Sequence, residues 1–576
     1  MAKIKSRTLR ITGAILLVVV AFVLAFNSIV AGLIEQKLND FLLKEDLKHY
    51  HVEYKRVGFN FLNRSVSLIG FKYIPDSAYL DSLDKADVAI MVPSVAVRRL
   101  TVSGVDFLAA LEEGKLLIKK ISVKKPEILL YKFTGKASSS PYDRKKVSLH
   151  DSVKLVKLSG VYIYTISLKK CKLSIFNYKK KKFTLTSQNI AIRLDGLQLE
   201  KSPYSDHYFY PALQDATLLA KNNTLQLGNN LYEIAFDKLF VDLKGDSLIF
   251  QGFHYRPLYS KAAFSKHIRF QKERFDLKAK QIAFSGADFY LFLTRGKIFI
   301  RKIGIDDAFI DLYRDKRVPF NHNQRPLLPH QSIKRVKGKF DIDTVALQRV
   351  RFVYSEKMNE RKVPLKVYFT QLSGYLSHIT NVPALWRKNN MQVGLKGRFM
   401  GRAPLRLRFV FPLAAKSDTF YFNGAIYGPV PFAVFNPAIY PAAGLKFAGG
   451  TLDRIVFNGG ANPIYAAGTM TMLYRNLNIQ AMKKDAQTSN KFMSWGINSL
   501  VRKNNPRKGE GKHPKQVAMF YERDMERGFG NFFWKTLYSG MKATMILSVN
   551  NINRKNRQSV TGKKPDTKKQ KSKDRK

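Results

Sequence analysis

Apolar and polar residues alternate in short runs along most of the chain. In one run Ile190, Ile192 and Leu194 alternate with more polar residues, and residues 405–411 repeat the pattern with arginines between apolar positions. A period of two predicts strands with one apolar face and one polar or basic face. Glycines follow at short spacing and predict turns between short strands, at Gly58, Gly70, Gly104, Gly114, Gly160, Gly196 and Gly228. The pattern favours a mainly β antiparallel meander over alternating strands and helices.

The chain also contains an internal repeat. Residues 106–131 recur at residues 288–313, 182 positions later, with 11 of 26 residues identical and no gap. The same offset relates Ser65, Gly70, Phe71, Tyr73, Pro75 and Ser103-Gly104 to Ser247, Gly252, Phe253, Tyr255, Pro257 and Ser285-Gly286. One register kept across three blocks predicts two copies of a β unit. Stacked copies would form an elongated body with a continuous apolar interior face.

An uncharged, mostly apolar run of 24 residues occupies positions 11–34. About 20 helical residues cross a bilayer core, so the run predicts a single transmembrane helix. The residues before the run are basic, and the positive and negative charges just after it nearly cancel. The positive-inside rule therefore predicts a cytoplasmic N-terminus and an exported chain after residue 34. The run is longer than a signal peptide core, and Ile29-Val30-Ala31 is a poor cleavage site, so an uncleaved anchor is favoured. The anchor residues are Ile15, Leu16, Leu17, Val18, Val19, Val20, Phe22 and Leu24.

The last third of the chain departs from the repeat. Glycine-rich runs at residues 449–450, 459–460 and 468 predict strands joined by glycine turns, and a basic stretch at residues 502–515 predicts a loop. Apolar residues then recur at roughly helical spacing, at Phe532, Phe533, Leu537, Met541 and Met545. They predict an amphipathic helix that either docks on a groove end or membrane surface, or closes a core.

These patterns set the predicted boundaries along the chain. They are a basic cytoplasmic N-terminus at 1–10, a transmembrane helix at 11–34, a linker helix and first β unit at 35–180, a second β unit at 181–362, a C-terminal β portion at 363–484, a basic loop and amphipathic helix at 485–552, and a disordered Lys-rich tail at 553–576.

The chain is strongly basic, with a formal net charge of +56. The tail holds 11 Lys/Arg and 2 Asp, a net of +9, which leaves +47 spread along the rest. Such a body beside a membrane favours anionic lipid or lipopolysaccharide headgroups as partners, and the alternative is that basic faces keep an edge-rich protein soluble. The predicted export argues against nucleic acid. The single cysteine, Cys171, allows no internal disulfide, which fits a bacterial envelope.

Sequence motifs for catalysis or metal binding are not found. The ten histidines lack metal-ligand spacing, and there is neither a nucleophile elbow nor a phosphate-binding glycine loop. Asp341 and Asp343 are two apart on a predicted strand and so face one side. Such a pair suits acid–base chemistry or a cation, but a solvated strand face is favoured. The sequence therefore predicts no enzyme, no cofactor and no metal.

The layout resembles the AsmA-like proteins of the bacterial envelope, in the form found in Bacteroidetes. The resemblance rests on the N-terminal helix, on Gly114-Lys115-Leu116, Ile118, Ile121, Val123 and Pro126-Glu127-Ile128, and on residues 470–477, Met-Thr-Met-Leu-Tyr-Arg-Asn-Leu. It implies a taco-like β-groove in the periplasm whose apolar inside holds lipid tails. Large relatives are thought to bridge the inner and outer membranes, and this chain is shorter than they are.

Two function classes follow from these features. The first is an inner-membrane-anchored periplasmic protein that binds lipid in an apolar β-groove and assists phospholipid transport or outer-membrane homeostasis, with phospholipid or another envelope lipid, the membrane, and anionic lipopolysaccharide or an outer-membrane protein as partners. The second is a non-enzymatic structural or assembly factor with a closed core. The predicted groove residues are Ile118, Ile121, Val123, Ile128 and Leu130 with their copies Ile300, Ile303, Ile305, Ile310 and Leu312.

Overall fold

The computed structural model describes residues 20–21, 23–36, 38–39, 49–86, 90–106, 109, 112–133, 160–202, 205–227, 231–358, 363–482, 489–507 and 514–546. The chain divides into two compact units, Met1–Gly252 and Phe253–Lys576. Most of the predicted anchor lies outside the described residues, namely Ile15, Leu16, Leu17, Val18, Val19 and Phe22. The basic N-terminus and the Lys-rich tail also lie outside them.

The protein is mainly β, as the alternation predicted. The first unit contains helical backbone at residues 23–36 and a helix at Ser77–Lys85. Its strands are β1 (Tyr50–Glu53), β2 (Arg56–Asn60), β3 (Ser65–Pro75), β4 (Met91–Asp106), β5 (Lys115–Lys132), β6 (Gly160–Asn177), β7 (Lys182–Ser202), β8 (Ser205–Ala212), β9 (Asp215–Gln226) and β10 (Tyr232–Asp242), and β11 (Ser247–Pro257) contains the unit boundary.

The second unit continues with ten strands in the described part of the chain. They are β12 (Arg274–Ala287), β13 (Ile298–Asp315), β14 (Phe340–Lys357), β15 (Leu365–Thr380), β16 (Met391–Phe399), β17 (Ala403–Phe411), β18 (Phe420–Pro431), β19 (Leu445–Ala461), β20 (Tyr465–Ala481) and β21 (Gln516–Glu522). Its helices are Lys261–Phe264, Phe289–Arg295, Pro329–Lys334, Pro383–Trp386, Asn436–Ala443, Lys491–Leu500 (the outer helix) and Phe529–Met545 (the closing helix), with 3₁₀ turns at Ser265–His267 and Phe432–Phe435.

Strand pairing is mixed, so the expectation of a purely antiparallel sheet is wrong at two places. In the first unit β5 pairs antiparallel with β4 but parallel with β6. In the second unit β13 pairs antiparallel with β12 but parallel with β14, and β14 to β21 then follow in antiparallel succession. Parallel neighbours require a long connection, and in the second copy residues 316–339 form it.

The predicted repeat is present in the strand pairing. In the first copy Val102 of β4 pairs with Ile121 of β5, and in the second Phe284 of β12 pairs with Ile303 of β13, at the same offset of 182 residues. Backbone angles repeat as well. Positive φ values recur at the pairs Gly70/Gly252, Gly104/Gly286, Lys125/Asp307 and Asn189/Gln371. Identical departures from regular strand geometry show that each copy builds the same local β structure.

Several glycines predicted as turns lie inside strands instead. Gly104 is within β4 at a φ of +64°, and a Cβ there would lie 2.6 Å from the Lys119 Cβ. A left-handed residue inside a strand interrupts the ladder but keeps the pairing, and glycine adopts it without strain. The strands are therefore longer than the glycine spacing predicted, 16 residues in β4 and 18 in β5.

The glycine-rich runs of the C-terminal portion also lie within strands. Gly459 of β19 pairs with Gly468 of β20, and a Cβ at Gly459 would lie 2.7 Å from the Phe422 ring. The glycines are required because the two backbones and the ring approach closely, not because the chain turns. The turn between these strands is instead held by the Asn462 side chain, whose Oδ1 accepts the backbone N–H of Ile464.

The second unit has a densely packed apolar core around β17 to β21. Phe411, Phe420, Met470 and Tyr474 are each at most 2% exposed. The predicted amphipathic helix is present as the closing helix, and its Phe532 is buried in the same core. Of the two alternatives for this helix, the core-closing one is observed.

Candidate functional site

The five predicted groove residues of β5 lie in rows of apolar residues that cross three strands. Ile121 pairs with Val102 of β4 on one side and with Ile166 of β6 on the other. The remaining rows are Val105–Ile118–Ile163, Leu100–Val123–Leu168, Val95–Ile128–Leu173 and Pro93–Leu130–Ile175. Cross-strand neighbours of this kind form a contiguous apolar surface on one side of a sheet.

The second copy reproduces these rows, with larger aromatic side chains at four positions, Phe275, Phe284, Phe352 and Tyr354. Ile303 of β13 pairs with Phe284 of β12 and with Val345 of β14. The remaining rows are Ala287–Ile300–Ile342, Ile282–Ile305–Leu347, Leu277–Ile310–Phe352 and Phe275–Leu312–Tyr354. The structure thus brings each set of five predicted residues together within its own copy.

The spacing of apolar residues along β5 changes where the strand departs from regular geometry. Lys125 has a φ of +50°, and the exposed pairs Lys119-Lys120 and Lys124-Lys125 interrupt strict alternation. Apolar positions are consequently three apart at these points, from Ile118 to Ile121 and from Val123 to Pro126, and two apart elsewhere. The period of two holds only between the distortions.

Most of these apolar residues are incompletely covered. Among the ten predicted groove positions only Ile118 is buried, and the other nine are partly exposed. Ile128 packs beside a small buried cluster of Cys171, Ile190, Ala220 and Phe236. In the core of the second unit, by contrast, more than twenty apolar residues are buried together. The repeated strands therefore present apolar rows that remain accessible.

The thiol of Cys171 belongs to this apolar surface. It is 2% exposed, and burial raises its pKa. A protonated, enclosed thiol behaves as a small apolar group and is a poor nucleophile or metal ligand. Its role in the described structure is packing.

The described part of the N-terminal segment contacts the β2–β3 turn. The Phe26 ring stacks edge-on to Phe61 with centroids 5.4 Å apart, and the backbone N–H of Phe61 donates to Asn27 Oδ1 at 2.8 Å. Val20 and Leu24, the two described anchor residues, are both exposed. In the part of the chain that the structure describes, no helix has the length and apolar character to cross a membrane.

Burial, hydrogen bonds and ion pairs account for the shifted pKa values of the described titratable groups. Burial raises the pKa of Asp341, and Asp343 beside it is exposed, with a carboxylate oxygen 3.7 Å from His378 Nε2. In the described ranges no three or more His, Cys, Asp or Glu side chains are grouped to hold a metal ion.

The sequence patterns did not predict the outer helix, which has apolar side chains on its exposed surface.

One buried carboxylate, paired with a half-exposed arginine, predicts how stability depends on pH. Hydrogen bonds from the Arg317 guanidinium lower the pKa of Asp315 to about 2, and Asp315 is 3% exposed. Because the folded pKa lies below the unfolded value, the stabilisation is present above about pH 4 and is lost as the pH falls through 2. We expect wild type to lose about 2 kcal/mol more than Asp315→Asn between pH 5 and pH 2 in urea unfolding, and equal losses would contradict this.

Comparison with protein-family models gives no match, and a search of curated proteins finds no protein that matches this chain. The functional argument therefore rests on the geometry above.

Proposed function

We propose that this protein binds the acyl chains of a phospholipid or another envelope lipid on the apolar rows of its repeated strands. The supporting observation is the partial exposure of nine of the ten predicted groove residues, in rows that are apolar across three strands. The solvent-facing side of an antiparallel sheet is usually polar, and a large accessible apolar surface marks a binding site.

The binding energy requires no catalytic group. Each methylene transferred from water to an apolar surface contributes about 0.8 kcal/mol, so a modest length of acyl chain accounts for stable binding. Assistance to phospholipid transport or outer-membrane homeostasis is the cellular role that this binding would serve.

We further propose that the chain is an AsmA-like protein of the bacterial inner membrane, anchored by residues 11–34 with most of the chain in the periplasm. The repeated β unit and the basic residues before the apolar run support this proposal. A C-terminal alkaline phosphatase fusion is expected to be active in a bacterial host, and a fusion before residue 11 inactive. The reverse activities would refute the topology.

The alternative function is a structural or assembly factor of the envelope whose apolar faces are closed. The tight core beneath the closing helix favours it, because this part of the second unit leaves little apolar surface accessible. Native mass spectrometry of the detergent-purified full chain separates the two functions. Co-purifying phospholipid is expected from the first, and a mass equal to that of the polypeptide alone supports the second.

A further inference from the structure

The outer helix, Lys491–Leu500, is attached to the sheet through polar side chains. Its N-terminus is capped by Asn490, whose Oδ1 accepts the backbone N–H of Met493 at 3.1 Å. Asn498 donates from Nδ2 to the Ile479 carbonyl at 2.7 Å and accepts the Ile479 N–H at 3.1 Å. These residues fix the helix along the edge of β20.

The sheet edge explains this polar attachment. β21 pairs with β20 only over residues 465–471, so the later part of β20 has backbone groups that another partner must satisfy. Ser494 Oγ accepts the Ala481 N–H at 3.0 Å, in addition to the bonds made by Asn498. The helix therefore substitutes for a neighbouring strand at Ile479 and Ala481. Its inner side is polar apart from Ile497, which packs against the core.

The outward side of the same helix is apolar. Phe492 is 82% exposed and Trp495 is 71% exposed, and Met493 and Leu500 are each more than half exposed. An ordinary surface helix has the opposite arrangement, with apolar residues inward and polar residues in water. The sheet edge accounts for the polar inner side but not for four exposed apolar residues outside.

Exposed lysines flank the outer helix at its two ends. Lys491 at the start of the helix and Lys503 after its end are exposed. Burial, and then the nearby positive charges of Arg502 and Arg507, lower the pKa of Lys515, so these three basic residues after the helix lie near one another. A helix with aromatic residues on one side and flanking lysines is typical of the headgroup layer of a bilayer.

We propose that the outer helix lies in the surface of an anionic lipid bilayer, with Phe492 and Trp495 inserted among the acyl chains. The flanking positive charges favour anionic lipid as the occupant. This membrane contact is separate from the apolar rows of the repeated strands, and it holds whether or not those rows bind lipid.

The test uses the full chain in phosphatidylcholine nanodiscs, to which vesicles of phosphatidylglycerol and brominated phosphatidylcholine are added. We expect bromine quenching and a blue shift of tryptophan emission in wild type, both lost in Trp495→Phe. In a second arm the nanodisc itself contains phosphatidylglycerol and the brominated lipid, and vesicles are omitted. Quenching of Trp495 in either arm supports the proposal. Quenching by the vesicles shows contact with a second bilayer, and quenching within the nanodisc shows contact with the bilayer that holds the protein.

A paired substitution measures the contribution of the apolar side. Phe492→Ser is expected to weaken vesicle binding about tenfold, as loss of an inserted aromatic side chain predicts. Ile464→Ser, which changes a side chain that is 62% exposed on the β19–β20 turn, should leave binding unchanged. Unquenched Trp495 in both arms would overturn the proposal. So would a photoreactive residue at position 492 that captures a protein and no lipid in cells.

Discussion

Ile121→Asp and Ile303→Asp are expected to accumulate in the membrane fraction at near wild-type levels but to lose bound phospholipid. Both positions are partly exposed, so a carboxylate there reaches water and avoids the full cost of burial. The same charge repels acyl chains from the centre of each apolar row. Phospholipid recovered per mole of purified protein, measured by mass spectrometry, gives the result directly.

Two control variants show the effect of a charge in a closed core and of a conservative apolar substitution. Phe411 is 2% exposed among other phenylalanines, so Phe411→Asp buries an unpaired charge and is expected to unfold the second unit. Ile121→Leu keeps the apolar surface and should retain lipid. If Ile121→Asp and Ile303→Asp are degraded as readily as Phe411→Asp, the repeated strands are closed and the structural-factor alternative replaces lipid binding.

Gly468→Ala is expected to lower the free energy of unfolding by about 3 kcal/mol, the upper range for an overpacked site. A Cβ at Gly468 would overlap the Asn458 carbonyl oxygen and lie 2.7 Å from the Gly459 Cα. Both neighbours are backbone atoms of the paired strand, so neither can move aside without breaking the ladder. Urea unfolding followed by tryptophan fluorescence measures the change.

Gly304→Ala is the matched comparison within β13. The nearest atom to a Cβ at Gly304 is the Ala283 carbonyl oxygen, at an ordinary contact distance of 3.9 Å. Removing glycine from a strand reduces the entropy lost on folding, so we expect a gain of roughly 0.5 kcal/mol. Equal effects of the two substitutions would show that the β19–β20 glycines are not needed for close approach.

Alternation of side chains carried most of the fold information in the sequence. Residues 405–411 lie in β17 as expected, with Leu405, Phe409 and Phe411 buried and the arginines between them exposed. The repeat was also readable, because identical residues occupy corresponding points in each copy. Alternation depends on residues one or two positions apart, and the repeat depends on identical residues at a fixed offset. Both can be seen in a single sequence.

Strand lengths and pairing directions were not readable in the same way. Gly104 looks like a turn residue, but a left-handed residue within β4 requires glycine as well. Lys125 adopts the same left-handed backbone conformation without being glycine, so the residue type does not predict it. The parallel pairing of β5 with β6 depends on where a long connection returns, which local pattern does not determine.

The outer helix was missed for a related reason. Asn498 and Ser494 appear in the sequence as ordinary polar residues, and only the exposed edge of β20 gives them their inward position. The apolar side of Phe492 and Trp495 then faces outward, against the usual expectation for helices. For the groove residues the sequence predicted apolar positions on two repeated strands, and the structure adds their pairing into rows and their partial exposure.

The most direct test of lipid binding places a photoreactive phenylalanine analogue at Ile121 or Ile303 in cells that express the full chain. Illumination is expected to attach phospholipid to the protein at both positions. At Lys120, the exposed neighbour whose side chain lies on the opposite face of β5, the same analogue should capture no lipid. Crosslinks at Ile121 and Ile303 that contain only protein would contradict lipid binding on these strands.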